Sequence, residues 1–318
     1  MKSTHSNEKY IDRNNQTVYY KSNNSIHKRK NKMINLKEIK SQKSIEELLK
    51  FGIIILDKPT GPTSFQVSQF VKHALTLSKT SHLGTLDPMV TGVLPVALSR
   101  ACRLNEYLMH RDKTYVGIMR VHKEISREEL EKELSHFIGK INQLPPVRSR
   151  VKRAVREREV KHFKILEIDG KDVLFETQVQ AGTYIRKLCS DLGEKIGGAH
   201  MLELRRTNAG IFNESGAINL YDFEKAVAEY KNGNEELLRK IIIPGEIVSE
   251  LLPVIQIRKD VVKKALTGSP IFESFIESKP SDINEGEKVC VFQNTKFIGC
   301  YKFIGKGDLF AKSEFVLN

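Results

Sequence analysis

Residues 163–180 read FKILEIDGKDVLFETQVQ. Apolar and polar residues alternate on both sides of Asp169-Gly170, the pattern of two strands joined by a tight turn. Working outward, KTYVGIMRVH (113–122) alternates as a strand should, and AHMLELRRTNAGIF (199–212) reads as another. Helical stretches fall between them. ISREELEKELSHFIGK begins at a Ser-x-x-Glu box, Ser126 with Glu129, and is expected to form a helix over 126–139 that ends at Gly139. AGTYIRKLCSDLGEKIG reads as a turn and then a helix starting near Thr183. Hairpins and helices alternate without a regular βαβ repeat. The expected fold class is α+β, a mixed and mainly antiparallel sheet flanked by helices, not a doubly wound parallel one.

Upstream, FGIIILDKP (51–59) reads as a buried strand stopped by Lys58-Pro59. TGPTSFQVSQFVKHAL (60–75) follows as a turn and helix, capped by Thr63 or Ser64, with Val67, Phe70, Val71 and Ala74 on its inner face. Next come a loop at 81–88, an apolar run at 93–98 and a helix near 100–109. Beyond about residue 251 the pattern changes to short strands, PVIQI, KVCVFQ, KFIGCYKF and DLFAKSEFVL, around a helix closed by Gly268. A module this small is below the size at which a lone core is comfortable, so it should dock on the main domain. At the other end, residues 1–35 are rich in Asn, Ser and Lys, with HKRK at 27–30, a composition that disfavours independent folding. Ile45, Leu48 and Leu49 are spaced for one helical face. The expected division is a polar basic extension at 1–44, a main domain at 45–250 and a β-rich module at 251–318.

The 318-residue chain carries 52 Lys and Arg against 39 Asp and Glu, a net charge of +13. That excess points to a polyanionic partner, nucleic acid before a membrane surface. No run approaches the ~18 apolar residues of a spanning helix, and MKSTHSNEKY is unlike a secretory signal. The expected location is the cytoplasm. Cys102, Cys189, Cys290 and Cys300 form no CxxC pair, which fits a reducing compartment; Cys290 and Cys300 read as two buried thiols across a hairpin. There is no Walker loop, no GxGxxG after a strand and no HExxH, so the chemistry is expected to need no nucleotide, metal or organic cofactor.

Against this basic background, SHLGTLDPMVTGVL (81–94) holds one carboxylate, Asp87, between two glycine turns. Asp-Pro after Gly-Thr-Leu is also what a plain turn uses. Gly84 and Gly92 permit tight bends, however, and Leu86, Val90, Val93 and Leu94 make the neighbourhood apolar. A carboxylate there calls for a cation from elsewhere. Tyr184 and Arg186, two apart in AGTYIRKL, would share one face of an extended backbone and could supply it; a buried Tyr and a surface Arg explain the pair equally well. Tyr115 and His82, taken singly, fit a core aromatic and a satisfied loop histidine. The stretch 145–162 carries seven Lys and Arg against two Glu. With Arg148, Arg150, Lys152 and Arg153, and with the pair Arg205-Arg206, it suits either a solvated face or a phosphate-tracking surface.

Taken together and in this order, HLGTLDPMVTGVLPVAL, KTYVGIMRVH, AGTYIRKL and AHMLELRRTNAG resemble the TruB family of RNA pseudouridine synthases, with ILDKPTGPTS (55–64) similar to its leading motif. PPVRSRVKR, LEIDGKDVLF, AGTYIRKLCSDLGE and GAHMLELRRTNAG resemble the archaeal and eukaryotic dyskerin branch, the catalytic subunit of H/ACA guide ribonucleoproteins. The resemblance spans roughly residues 50–250, and the β-rich end is similar to a PUA domain, an RNA-binding pseudobarrel.

The resemblance implies that Asp87 is the catalytic carboxylate of a cofactor-free reaction. It further implies that Tyr115 stacks on the flipped uracil, that Arg186 pairs with Asp87, and that Tyr184, Leu204 and His82 line the pocket. Lys58, Pro59 and Gly84 would support the catalytic loop. Arg148, Arg150, Lys152, Arg153, Arg205 and Arg206 would meet RNA. Amino-terminal residues, with Leu36, Ile39 and Ile45 as candidates, would pack on the PUA domain. The implied partners are an H/ACA guide RNA, rRNA and tRNA substrates, Nop-type and Gar-type accessory proteins and a kink-turn-binding ribosomal-protein homologue, with no membrane. Bacterial members insert a thumb segment after the tyrosine strand; only the compact helix at 126–139 stands here, which favours guided action. The alternatives are a stand-alone synthase acting on the tRNA T-loop and a non-catalytic RNA scaffold of the same fold.

Overall fold

The computed structural model describes residues 34–145 and 152–318. Helices α1 (Leu36–Gln42) and α2 (Ile45–Lys50) lead into β1 (Gly52–Lys58). After α3 (Ser64–Ala74) come β2 (Thr80–His82), β3 (Thr91–Leu98), a 3-10 turn at Ser99–Leu104 and the short α4 (Asn105–Leu108). The expected helix near 100–109 is thus split. β4 (Lys113–Val121) precedes α5 (Arg127–Ser135), β5 (Gly139–Gln143), β6 (Arg156–Asp169) and β7 (Asp172–Val179). Then follow α6 (Ile185–Ile196), β8 (Ala199–Ala209), β9 (Phe212–Asn213), α7 (Leu220–Lys231), α8 (Glu236–Ile241) and β10 (Ile242–Pro244).

Among the described residues these strands make one ten-stranded sheet, in the order β10-β1-β3-β8-β4-β7-β6-β5 with β2 beside β3 and β9 beside β8. Its pairings are antiparallel except at β3–β8, a parallel seam of two residue pairs, Thr91↔Arg205 and Gly92↔Arg206. The fold is α+β and mixed, as the hairpin at 163–180 implied; Gly170 takes φ +56° at its tip. The helix that opens at Ser126 stops at Ser135, short of Gly139. Phe137 and Ile138 bond back to Leu134 and Ser135 as turns, and Gly139 (φ +95°) already pairs with Val160 as the start of β5. The second half of the basic run is ladder, since Arg156 opens β6.

Apolar residues fill both faces of this sheet. On one, Ile54, Leu56, Leu94 and Met119 meet Val67 and Val71 of α3, Leu188 and Leu192 of α6, and Phe223 of α7. On the other, Ile53, Ile55 and Val93 meet Phe292, Phe297 and Phe315 of the second sheet. That sheet comprises β11 (Val254–Ile257), β12 (Ile271–Phe272), β13 (Ile276–Ser278), β14 (Lys288–Gln293), β15 (Lys296–Lys306) and β16 (Leu309–Val316), with α9 (Val262–Leu266) between its first two strands. Its order is β12-β16-β15-β14-β11-β13. It curls around its own core of Ile255, Ile271, Tyr301 and Phe310. Cys290 and Cys300 face each other in β14–β15 as free, buried thiols.

Helix α1 bridges the two bodies. Ile39 is buried in the same cluster as Phe51, Phe297 and Phe315, with Leu36 against its edge. Arg239 of α8 donates to the Lys40 and Lys43 carbonyls, and Thr295 of the second sheet donates to Gln42 at 3.5 Å. Ile45 departs from the expectation: it lies in the core of the large sheet, because α2 turns that face inward. Among the described residues no helix is long and apolar enough to cross a membrane.

Candidate active site

Four strands place one residue each on a single transverse line. Lys58 of β1 pairs with Gly92 of β3, Gly92 with Arg206 of β8, and Arg206 with Tyr115 of β4. The loop 83–90 rises above this line. Gly84 (φ +106°) and Gly92 (φ +99°) give it the bends that a Cβ would oppose. At Gly92 a Cβ would stand 2.2 Å from the Arg206 carbonyl, so only glycine lets β3 approach β8 this closely.

Three buried side chains hold the loop from below. Lys58 is fully buried, and its ammonium donates to the carbonyls of Pro59, Pro62 and Pro88 at 2.7, 3.0 and 3.0 Å. Ser64, also fully buried, accepts from the Leu86 amide at 2.8 Å and donates to the Leu86 carbonyl at 3.0 Å. Thr63 is therefore the cap of α3, through Gln66, while Ser64 is turned inward to the loop. Arg206 donates to the carbonyls of Gly84 and Val93. The residues on either side of Asp87 are thus fixed, and Asp87 itself is left to solvent.

Asp87 is more open than its apolar neighbours suggested. Leu86 and Val90 are buried, but the Asp87 side chain is 55% exposed, because the turn sends its neighbours inward and the carboxylate outward. Arg186 Nη2 donates to Asp87 Oδ2 at 2.7 Å, joining residues 99 positions apart. Here the expected cation is found, though not by the expected geometry. Tyr184 is the last extended residue and the backbone turns helical at Ile185, so Arg186 sits in the first turn of α6 and not two along a strand. The buried Gln143, which sequence reasoning missed, brackets Tyr184 by donating to its carbonyl at 3.2 Å and accepting from its amide at 3.0 Å.

Tyr115 and Leu204 are both buried, at 9% and 7% exposure, on the helix-covered face with Leu86 and Ile185. His82 shares a hydrogen bond with the Thr85 hydroxyl at 3.1 Å; burial first, and the Arg206 charge second, hold its pKa below the ordinary value. Burial likewise lowers Lys58, opposed by the Asp87 charge. Lys113, whose ammonium donates to the Met109 and Arg111 carbonyls, is pushed down to about 8 by burial and by Arg206. Lys58, Lys113 and Arg206 therefore place buried positive charge beneath a loop that carries one exposed anion.

The expected RNA-facing arginines divide. Arg148 and Arg150 lie outside the described residues, and Lys152 and Arg153 are exposed on the approach to β6. Arg206 is not at the surface, contrary to expectation: it is 1% exposed, since its place on the transverse line turns it under the loop. Arg205 points the other way, but its guanidinium is engaged by Asp57 through two bonds of 2.8 and 2.9 Å and by Glu214 at 3.2 Å. No cluster of three or more His, Cys, Asp or Glu side chains able to hold a metal occurs among the described residues.

Residues 72–185 match the family described as TruB family pseudouridylate synthase (N terminal domain), and residues 186–249 match the tRNA pseudouridylate synthase B C-terminal domain. A probable tRNA pseudouridine synthase B of Methanopyrus kandleri is 47% identical over 253 residues, covering 79% of this chain and 75% of that one. Among solved structures, a chain of a Cbf5-Nop10-Gar1 complex superposes with a TM-score of 0.81 at 38% identity, over 87% of this chain and 88% of that one. A chain of an H/ACA ribonucleoprotein bound to a substrate RNA containing 2'-deoxyuridine gives 0.80 at 36% identity, over 88% and 89%.

Proposed function

The chain belongs to the TruB family of pseudouridine synthases, and from that premise we propose that it isomerises uridines chosen by an H/ACA guide RNA, with Asp87 as the catalytic carboxylate. The observation that carries this is the exposed Asp87–Arg186 pair on a loop whose neighbouring backbone is pinned by Lys58, Ser64 and Arg206. The reaction breaks the bond from uracil N1 to the ribose, turns the base and joins C5 to the same carbon, with loss of the C5 proton balanced by protonation of N1. A single fixed carboxylate can attack either the anomeric carbon or the uracil ring, and both routes regenerate it. A stacked uridine is out of reach, so it must flip out, at a cost of a few kcal/mol. Tyr115 and Leu204 offer an apolar wall for the flipped base, and Arg186 orients Asp87 while the base is absent.

Guided action is supported by the two H/ACA-type structures to which the chain is similar. The second sheet would act as a PUA-type RNA-binding body, and Nop-type and Gar-type proteins would complete the particle. Lys50, Lys79, Arg100 and Arg103 line a concavity of about 550 Å³ in which Glu46 is the one acid, an excess of positive charge in keeping with a polyanionic partner. A second reading, direct action on tRNA, is favoured by the name of the relative from Methanopyrus kandleri.

One assay separates these readings. The purified protein is given a tRNA transcript alone, and separately a short target with matching guide and accessory proteins. Pseudouridine only in the guided reaction supports the guide-dependent role, and pseudouridine in the bare transcript supports the second reading. Asp87→Asn should abolish turnover in either setting while RNA binding survives. Turnover above the enzyme-free background in that variant overturns the role of Asp87, and no turnover by the parent protein in either reaction favours a scaffold.

A further inference from the structure

The ends of the Asp87 loop are tied to one side chain. Arg206 Nε donates to the Val93 carbonyl at 2.8 Å, and Nη2 donates to the Gly84 carbonyl at 3.0 Å. Tyr115 is the ladder partner of Arg206 on the adjoining strand. No carboxylate pairs with Arg206 among the described residues. An unpaired charge in the interior costs several kcal/mol, a cost that an apolar side chain filling the same space would avoid. Filling space is therefore a poor account of an arginine at this point. What arginine supplies is a rigid fork able to hold two carbonyls at once.

Those carbonyls lie across the shortest ladder in the main strand order of the large sheet. Lys58, Asp87 and Ser64 belong to the half of the sheet built on β1 and β3, whereas Tyr115, Arg186 and Leu204 belong to the half built on β8, β4 and α6. Only two ladder pairs join the halves. Arg206 belongs to the second half and grips the first, 122 positions away in the chain. Resting on the assignment of Asp87 above, we propose that Arg206 is a positioning residue for pseudouridine formation: through Gly84 and Val93 it fixes the Asp87 loop relative to Tyr115 across the β3–β8 seam.

The test compares Arg206→Lys and Arg206→Met with the parent protein. Three quantities are read: single-turnover pseudouridine formation at saturating enzyme, RNA affinity, and amide exchange over residues 84–93. Lysine retains the buried cation but presents a single ammonium in place of the planar fork, so it cannot reproduce both N–H directions. The single-turnover rate should fall about a hundredfold, the scale set by a small misplacement of a reacting group. RNA affinity should stay within roughly twofold, because a buried residue contributes no phosphate contact. Exchange at Leu86 and Val90 should quicken while the β6–β7 hairpin keeps its protection.

A rate for Arg206→Lys within about threefold of the parent overturns the proposal. So does an affinity that falls in step with the rate, which would make Arg206 a phosphate contact after all. If Arg206→Met does not fold, Arg206→Lys decides the matter. If the parent itself forms no pseudouridine, the assignment of Asp87 fails, and exchange alone decides the positioning role: faster exchange at 84–93 supports it and unchanged exchange overturns it.

Discussion

The Lys58 ammonium lies 3.0 Å from the carbonyl oxygen of Pro88, the residue immediately after Asp87. A buried cation and an exposed anion thus share one short stretch of backbone, the cation holding it and the anion using it.

Replacing Lys58 by Met would leave the Pro59, Pro62 and Pro88 carbonyls without this donor, and because they are only part-buried, solvent offsets some of the about 1–3 kcal/mol that a buried unsatisfied carbonyl costs. Relief from a buried charge offsets part of that. The expected outcome is a modest loss of thermal stability with at least a roughly tenfold slower single-turnover rate. Calorimetry and a rapid-quench assay check the two halves, and an unchanged rate would count against the holding role.

Arg186 should behave in the opposite way. Its pair with Asp87 is half exposed on both sides, so it adds at most about 1 kcal/mol to stability. Arg186→Met is expected to melt within a few degrees of the parent, roughly the shift such a loss implies. Its turnover should drop by about a hundredfold because the carboxylate loses its orienting partner. Loss of stability without loss of turnover would refute this.

Gly92 and Gly61 provide a matched comparison. Both have positive φ, at +99° and +108°, but only at Gly92 would a Cβ meet backbone, whereas at Gly61 nothing lies within 4 Å. Gly61→Ala should lose the backbone term alone, about 1–2 kcal/mol. Gly92→Ala adds an overlap worth about 1–3 kcal/mol more. Equal denaturant midpoints for the two variants would show that the seam has room to relax.

Lys113 gives a pH dependence of unusual sign. Its pKa is about 8 in the folded protein against the ordinary 10.5. Between these values the unfolded chain binds more protons, so stability rises with pH across that window, and the penalty of the buried ammonium is present in full below it. The neutral amine keeps two N–H donors for the Met109 and Arg111 carbonyls. From pH 7 to 9.5 the parent should gain up to about 2 kcal/mol relative to Lys113→Met in urea unfolding. Parallel pH curves for the two proteins would contradict it.

Local pattern disclosed the strands, the hairpin at Asp169-Gly170 and the motif loop, since alternation and turn chemistry are local properties. Asp87 and Arg186 could be named from motif resemblance, but their meeting could not be derived, because it depends on where α6 starts. The pair Arg205-Arg206 shows the limit most clearly. Adjacent residues of one type face opposite sides of β8, one engaged with acids and the other buried beneath the loop. Nothing in LELRRT distinguishes them; only the register with Gly92 and Tyr115 does. Ser64 and Gln143 gave no signal, since their roles exist only through backbone groups brought to them by the fold.

The β3–β8 seam also bears on how the molecule is made. It is brief, parallel and non-local, and the loop-closure entropy of such a pairing is lost before many contacts are gained in return. The β1–β3 half is itself completed late, because its outer pairing joins Gly52 to Pro244, a residue beyond β8 in the chain. The transverse line from Lys58 to Tyr115 comes into being only when the halves join, so enzymatic competence would be among the last properties a nascent chain acquires.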